Sequence, residues 1–271
     1  MKEFILRYQR QITLDGFGMD AQEKLSKAKV LVIGAGGLGC PILQYLAAAG
    51  VGHIGIADND LVSYSNLNRQ IFFGQDDIGK FKVDIATLRI NALNNLVKTT
   101  IYKDRWNQAL SIEHFPNYDI IVDATDNFAS RYLINDACVL LAKPLVFGAV
   151  SKYEGQIAVF NKIQDDQKNS DYIPVNYRDL FPEPPKSDEV LNCAEGGVLG
   201  VLPGTIGVMQ ATEVIKLISG VGEILSNQLL NYNALTNSFF KVQLIKNAKA
   251  DLLIPKTIDS FMQTNYEQLC N

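Results

Sequence analysis

Residues 30–39 read Val-Leu-Val-Ile-Gly-Ala-Gly-Gly-Leu-Gly, an aliphatic run that breaks into glycines before a helical pattern from Cys40. This is the order of a strand, a tight turn and a helix whose N-terminus faces an anion. Gly34, Gly36, Gly37 and Gly39 let the backbone approach a phosphate closely, and the unpaired amides of the helix start supply a positive field. Asp58 follows a second apolar run from Ile54, at the spacing where an acid meets a ribose hydroxyl. The pattern demands an α/β fold with a nucleotide crevice. It leaves the reaction open, because an NAD-dependent oxidoreductase uses the same opening motif.

Strand patterns at 29–33, 53–58, 99–102 and 119–123 alternate with helical patterns at 38–49, 80–93 and 127–141. Such alternation predicts a Rossmann-like, mainly parallel sheet with helices on both faces. After Lys143-Pro144 the grammar changes. Runs at 145–150 and 156–160 meet around Glu154-Gly155, a connection short enough for an antiparallel pair. Patterns at 229–232 and 239–243 extend the sheet with further strands, after a helix over 203–219 that carries Pro203 in its first turn and Gly220 beyond its end. A short amphipathic helix is expected near 20–27, behind a polar, charged N-terminal segment. Residues 161–192 read as a long mobile loop, and the tail from Lys246 carries weak structural signals. The expected organisation is one domain over 1–247, with a nucleotide-binding half 1–143 and a second half 144–247, followed by a tail 248–271.

The 271 residues, 47% hydrophobic with a formal net charge of −4, suffice for a sizeable core and give no basic face for nucleic acid. The most apolar stretch, 196–218, is interrupted by Gln210, Glu213 and Lys216, so no membrane span is expected. No cationic leader precedes an apolar run, and the four cysteines form no C-x-x-C pair. Both facts point to the cytoplasm and away from a disulfide framework or a zinc knuckle. His53 and His114, the two histidines, read as structural.

Beyond the glycine turn stands a set of charges that a dehydrogenase does not need. Arg69 sits in an asparagine-rich loop with Asn66, Asn68 and Gln70, and Lys82 opens a helix just after Gly79. Asp123-Ala124-Thr125-Asp126-Asn127 closes the fourth strand at the carboxyl edge, where open α/β sheets bind ligands. Asp126 suits Mg²⁺ through oxygen, or the N-cap of the following helix, or both.

The motifs Arg7-Tyr8-x-Arg10-Gln11, Gly34-x-Gly36-Gly37-x-Gly39, Asp58-x-Asp60, Ser65-Asn66-Leu67-x-Arg69-Gln70, Gly79-x-x-Lys82 and Asp123-x-Thr125-Asp126-Asn127 occur in that order. Glu154-Gly155-Gln156, Cys193-Ala194-Glu195-x-Gly197-Val198-Leu199-Gly200 and Gln210-Ala211-x-Glu213-x-x-Lys216 continue the series. Together, over roughly 4–247, they resemble the MoeB/ThiF/HesA family, prokaryotic relatives of ubiquitin-activating enzymes, and most of all its molybdopterin-synthase adenylyltransferase type. The resemblance implies an adenylyltransferase using ATP and Mg²⁺. Its protein substrate would be a small ubiquitin-like sulfur carrier ending in Gly-Gly, serving molybdopterin, thiamine or related sulfur transfer. The products would be an acyl-adenylate and pyrophosphate, and the half 144–247 would receive the carrier.

By the same resemblance Gly34, Gly36, Gly37, Gly39, Asp58, Asp60, Asn66 and Asn127 hold the nucleotide. Arg69, Lys82, Arg10 and Mg²⁺-bound Asp126 offset the repulsion between reacting anions, with Arg10 reaching the neighbouring subunit of a homodimer. Cys193 matches a cysteine that some members use for a thioester or persulfide link; an ordinary loop residue is the other reading.

The chain departs from the pattern where relatives hold zinc with two C-x-x-C pairs. Residues 176–179 and 250–253 contain no cysteine, so no zinc site is expected, and the region must be packed without metal or be mobile. Two other classes stay open: the oxidoreductase, for which no hydride-transfer acid or base stands out, and a non-catalytic relative that binds ATP or carrier without reacting. A branch acting on a tRNA base fits the acidic charge poorly.

Overall fold

The computed structural model describes residues 2–162, 173–185 and 196–269. Two helices, α1 (Lys2–Ile12) and α2 (Gly18–Lys27), precede β1 (Lys29–Ile33), α3 (Gly39–Ala49) and β2 (His53–Ala57). Then come α4 (Lys82–Leu93), β3 (Lys98–Tyr102), α5 (Gln108–His114), β4 (Ile120–Asp123), α6 (Phe128–Leu140), β5 (Leu145–Ser151) and β6 (Glu154–Phe160). The short α7 (Tyr177–Leu180) and the long α8 (Leu202–Ser219) lead to β7 (Gln228–Asn233) and β8 (Ser238–Gln243). Three short helices close the chain: α9 (Ala248–Leu253), α10 (Ile258–Gln263) and α11 (Tyr266–Leu269).

The strands form one eight-stranded sheet in the order β3-β2-β1-β4-β5-β6-β7-β8. The pairs from β3 through β5 are parallel and those from β5 through β8 antiparallel, as the alternation and the short β5–β6 connection require. Side chains alternate between two cores. Val30 and Val32 of β1 pack with α2, α3, α4 and α8, while Leu31 and Ile33 pack with α5, α6 and α7. Burial on both faces explains why the parallel strands read as continuous aliphatic runs rather than alternating ones.

Three regions differ from the sequence reading. The N-terminal segment is helical, yet its only buried residue is Tyr8, so no apolar periodicity announced it. Tyr8 packs where a Cβ on Gly50 (φ +88) would lie 2.5 Å from its ring, and its hydroxyl accepts from Asn94 at 2.8 Å. α5 escaped notice because only Ser111 of it is fully buried. Within 161–192, residues 175–179 are not a mobile loop: Val175, Asn176, Tyr177, Arg178 and Asp179 are all buried. Residues 163–172 lie outside the described part of the chain, as do 186–195 with Cys193.

The region without C-x-x-C cysteines is held by a polar cross-link, not by apolar packing alone. Asn176 and Asp179 close a capping box on α7. Asp179 also accepts from Lys246 Nζ at 3.1 Å and from the Asn247 backbone N–H at 2.9 Å, which ties α7 to the start of the tail. Beside it, Arg178 donates two 2.8 Å hydrogen bonds to the Asp136 carboxylate of α6, and the Tyr266 hydroxyl adds a third at 2.9 Å. Asp136 is fully buried and Arg178 is 3% exposed, so the pair is shielded from solvent. The tail is therefore docked: Phe261 and Tyr266 sit in the α6-side core.

Removing one partner of a buried pair strands the other charge. Arg178→Met should cost about 3–5 kcal/mol in denaturant unfolding, and adding Asp136→Leu should recover part of that loss. A strong zinc chelator should leave the melting temperature of the wild type unchanged.

Candidate active site

A cavity of about 750 Å³ runs along the carboxyl ends of the strands, from the loop after β3 to the end of β5. At its centre β1 and β4 diverge to helices on opposite faces, the switch point where open α/β sheets bind ligands. The turn after β1 is closed more tightly than any side chain permits. A Cβ on Gly39 would lie 2.0 Å from the Gly34 carbonyl oxygen, and one on Gly34 (φ +101) would lie 2.5 Å from the Ala124 carbonyl oxygen. Gly39 thus fits the turn together, while Gly34, Gly36 and Gly37 line the cavity. No side chain caps α3; the Cys40 N–H donates to the Gly36 carbonyl at 2.9 Å, and no hydrogen bond engages the amides of Gly36, Gly37 and Leu38 among the described residues, so these can meet a ligand.

Asp58 ties the end of β2 to this turn. Its Oδ2 accepts from the Ala35 backbone N–H at 2.8 Å and its Oδ1 from the Asp60 N–H at 2.9 Å. Burial raises the Asp58 carboxyl from its ordinary value, with the Lys82 ammonium opposing the shift. Lys82, 4% exposed, places Nζ 2.6 Å from Asp60 Oδ2 and 3.9 Å from Asp58 Oδ1. All three residues line the cavity.

Arg69 lines it from the other flank of the glycine turn. Its Nη1 donates to the Ser65 carbonyl at 2.8 Å and to Asn68 Oδ1 at 3.1 Å, which aims an exposed guanidinium. Asn66 plays a different part from the one expected. Its Oδ1 accepts from the Ser63 N–H in a capping box, so it shapes the loop while Ser65, Asn68 and Gln70 face the cavity.

At the end of β4 the cap belongs to Asn127, whose Oδ1 accepts from the Ser130 N–H at 2.9 Å, and not to Asp126. Asp126 lines the cavity, and no hydrogen bond or ion pair engages it among the described residues. An exposed carboxylate in a phosphate-sized crevice fits a hard cation such as Mg²⁺. The turn that presents it is braced from below: Asp123 Oδ1 accepts from Thr125 N–H and Oγ1, and Asp123 Oδ2 faces Arg131 Nε at 3.8 Å. Burial raises the Asp123 carboxyl, with Arg131 opposing.

Arg10 lies outside this cavity. Its neighbour Gln11 donates to the Ala49 carbonyl, at the far end of α3, about 15 Å along the helix from the glycine turn. Cys40 is packed core, its thiol pushed up to about 12 by burial, and is unsuited to nucleophilic work. Sequence reasoning missed Arg105 and Trp106 after β3, Arg131 on α6, and Val150, Val198 and Pro203 at the other end. The strand ends were legible; which later side chains fold back to them was not.

Comparison with known proteins agrees with this geometry. The ThiF family model matches residues 8–253. The chain is 45% identical over 269 residues to the "Probable adenylyltransferase/sulfurtransferase MoeZ" of Mycobacterium tuberculosis, covering 99% of this chain but 66% of that protein. It is 46% identical over 248 residues to the "Sulfur carrier protein adenylyltransferase" of Thermus thermophilus, covering 92% of this chain and 90% of that one. It spans just under two thirds of the MoeZ length and 57% of a Xenopus laevis MOCS3, to which it is 43% identical. Among solved structures, E. coli MccB with ATP superposes with a TM-score of 0.71 over 89% of this chain and 72% of that one, at 21% identity, a likeness of fold. With its family motifs gathered around one crevice and relatives matching nearly its whole length, the chain belongs to the ThiF family.

Proposed function

We propose that this protein is an ATP-dependent adenylyltransferase that activates the C-terminal glycine carboxylate of a small ubiquitin-like sulfur carrier. The observation that carries the reading is the crevice itself. The glycine turn, Arg69, Lys82 and the unengaged Asp126 all line one cavity. An oxidoreductase has no use for that set. The printed names of the Thermus and Mycobacterium relatives support the same chemistry.

A C-terminal carboxylate, with a pKa of about 3.5, is ionised at neutral pH, so the reaction needs no general base. The obstacle is electrostatic: one anion must reach the α-phosphorus of another. One carboxylate oxygen bonds to the α-phosphorus, the bond to the α–β bridging oxygen breaks, and pyrophosphate departs with the electron pair. Arg69 and Lys82 stabilise charge on the phosphoryl oxygens as it shifts toward the leaving group. Mg²⁺ held by Asp126 would neutralise phosphate charge. Asp58 and Asp60 orient Lys82, and Asp58 sits where the ribose of the nucleotide lies in this family's pattern.

In this reading the carrier tail enters at the β5 end, past Val150, Val198 and Pro203, from the half 144–247. The unit 1–247 performs the chemistry, and the tail packs against it through Phe261 and Tyr266. Arg10, remote from its own crevice, serves the crevice of a second subunit, which makes the working form a homodimer in the cytoplasm. Among the described residues no helix is long and apolar enough to cross a membrane. Cys193 either links covalently to the activated carrier or is an ordinary loop residue.

Pyrophosphate exchange into ATP, with Mg²⁺ and a Gly-Gly carrier, tests the reading. Exchange dependent on the carrier is expected; none with any such carrier would refute it. Asp126→Ala should lower exchange by about 10²–10³-fold, and Arg69→Ala should do the same while changing ATP affinity little. Activity equal to wild type would remove either residue from the mechanism. Mixing Arg10→Ala with Asp126→Ala subunits should restore about a quarter of wild-type activity, one working site in the mixed half of the dimers. No recovery in confirmed mixed dimers would make the site self-contained.

A further inference from the structure

The wall of the crevice after β3 is shared with a second cavity. Arg105, Trp106 and Ser130 line both, and the second, about 480 Å³, is closed on its far side by Met262–Glu267 of the C-terminal segment. Trp106 and Arg105 of that wall are held by different means. Trp106 is fixed from within the domain: its Nε1 donates to Ser111 Oγ at 2.9 Å, and its ring stacks on Phe115 with centroids 5.7 Å apart. Arg105 takes its ion pair from the tail, through Glu267, and neighbouring Gln108 donates to the Thr264 carbonyl at 2.7 Å. The tail can bear this, because Tyr266 is anchored on the buried Asp136 of α6.

We propose that Arg105, clamped by Glu267, is the platform on which the nucleobase of ATP rests, so that the C-terminal segment is part of the nucleotide site. The inference rests on the nucleotide reading given above. The crevice has two ends, and the reaction needs the β5 end open for a protein tail. Asp58, the ribose acid, stands on β2, next to β3. A base extending from that ribose away from the carrier's entrance therefore meets the loop after β3, where Arg105 and Trp106 stand. Glu267 already balances the charge of Arg105, which makes it a poor additional hook for phosphate. Its planar face remains available, and a guanidinium stacks well on an aromatic ring. The carboxylate clamp holds that plane in one orientation before the base arrives.

Both side chains are largely exposed (66% and 61%), so substituting them puts the fold at little risk. Calorimetric titration of ATP and of inorganic tripolyphosphate into wild type, Arg105→Ala, Glu267→Gln and the double variant separates the possibilities. Arg105→Ala should weaken ATP by about fivefold to thirtyfold. Glu267→Gln should weaken ATP in the same direction, and the double variant should be no worse than Arg105→Ala alone. Tripolyphosphate, which has no base, should bind all four proteins alike. If wild type binds ATP and either single variant binds it equally well, the platform is refuted while the nucleotide reading stands. An equal loss for tripolyphosphate would make Arg105 a phosphate contact and also overturn the proposal. Failure of the wild type to bind ATP would overturn the nucleotide reading and this inference together.

Discussion

One carboxylate holds the site in register. Asp58 bridges the Ala35 amide of the glycine turn, the Asp60 amide of its own loop and the Lys82 ammonium at the start of α4. Three segments of the crevice wall are thereby fixed to one side chain. The arrangement is possible only because Gly34 and Gly39 bring the turn close enough for its amide to reach β2. Without that bridge the turn, the end of β2 and Lys82 would each be placed by separate packing contacts, with no shared reference.

The cations of the crevice are not idle before a ligand arrives. Lys82 is neutralised by Asp60, and Arg69 is aimed by the Ser65 carbonyl. Stored in this way, positive charge costs little in the free protein, and a polyanion can compete for it when bound. Lys82 has the most to gain, because its ammonium is buried and its partner Asp60 is exposed enough to turn toward solvent. The sixth helix carries the other half of the logic. Its cap, Asn127, lies at the crevice, and its middle, Asp136, anchors Arg178 and Tyr266. Order in the tail is thus transmitted to the wall of the crevice by a rigid element.

The parallel half of the fold was legible because its causes are local. Aliphatic runs, glycines and caps announce each strand, turn and helix within about a dozen residues. The glycine turn, Asp58, Asp60, Arg69, Lys82 and Asp126 converge on one crevice for the same reason, each following a strand end that periodicity locates. What the sequence concealed was long-range pairing. Arg105 and Glu267 are 162 residues apart, and Arg178 and Asp136 are 42 apart. Neither pair leaves a periodic trace. The four residues of α7 are too few for one either, so a buried, capped turn read as loop. Asn66 and Asn127, expected to hold the nucleotide, both spend their side-chain oxygen on local backbone amides.

The central claim is that Lys82 and Arg69 receive the phosphates of a nucleotide laid against the glycine turn. A crystal structure with Mg²⁺ and a non-hydrolysable ATP analogue tests it most directly. The account predicts polyphosphate on the amides that open α3, with Lys82 Nζ drawn from Asp60 to a phosphate oxygen and Arg69 on the opposite flank. Polyphosphate bound elsewhere, with Lys82 still seated on Asp60 and the glycine turn empty, would contradict it.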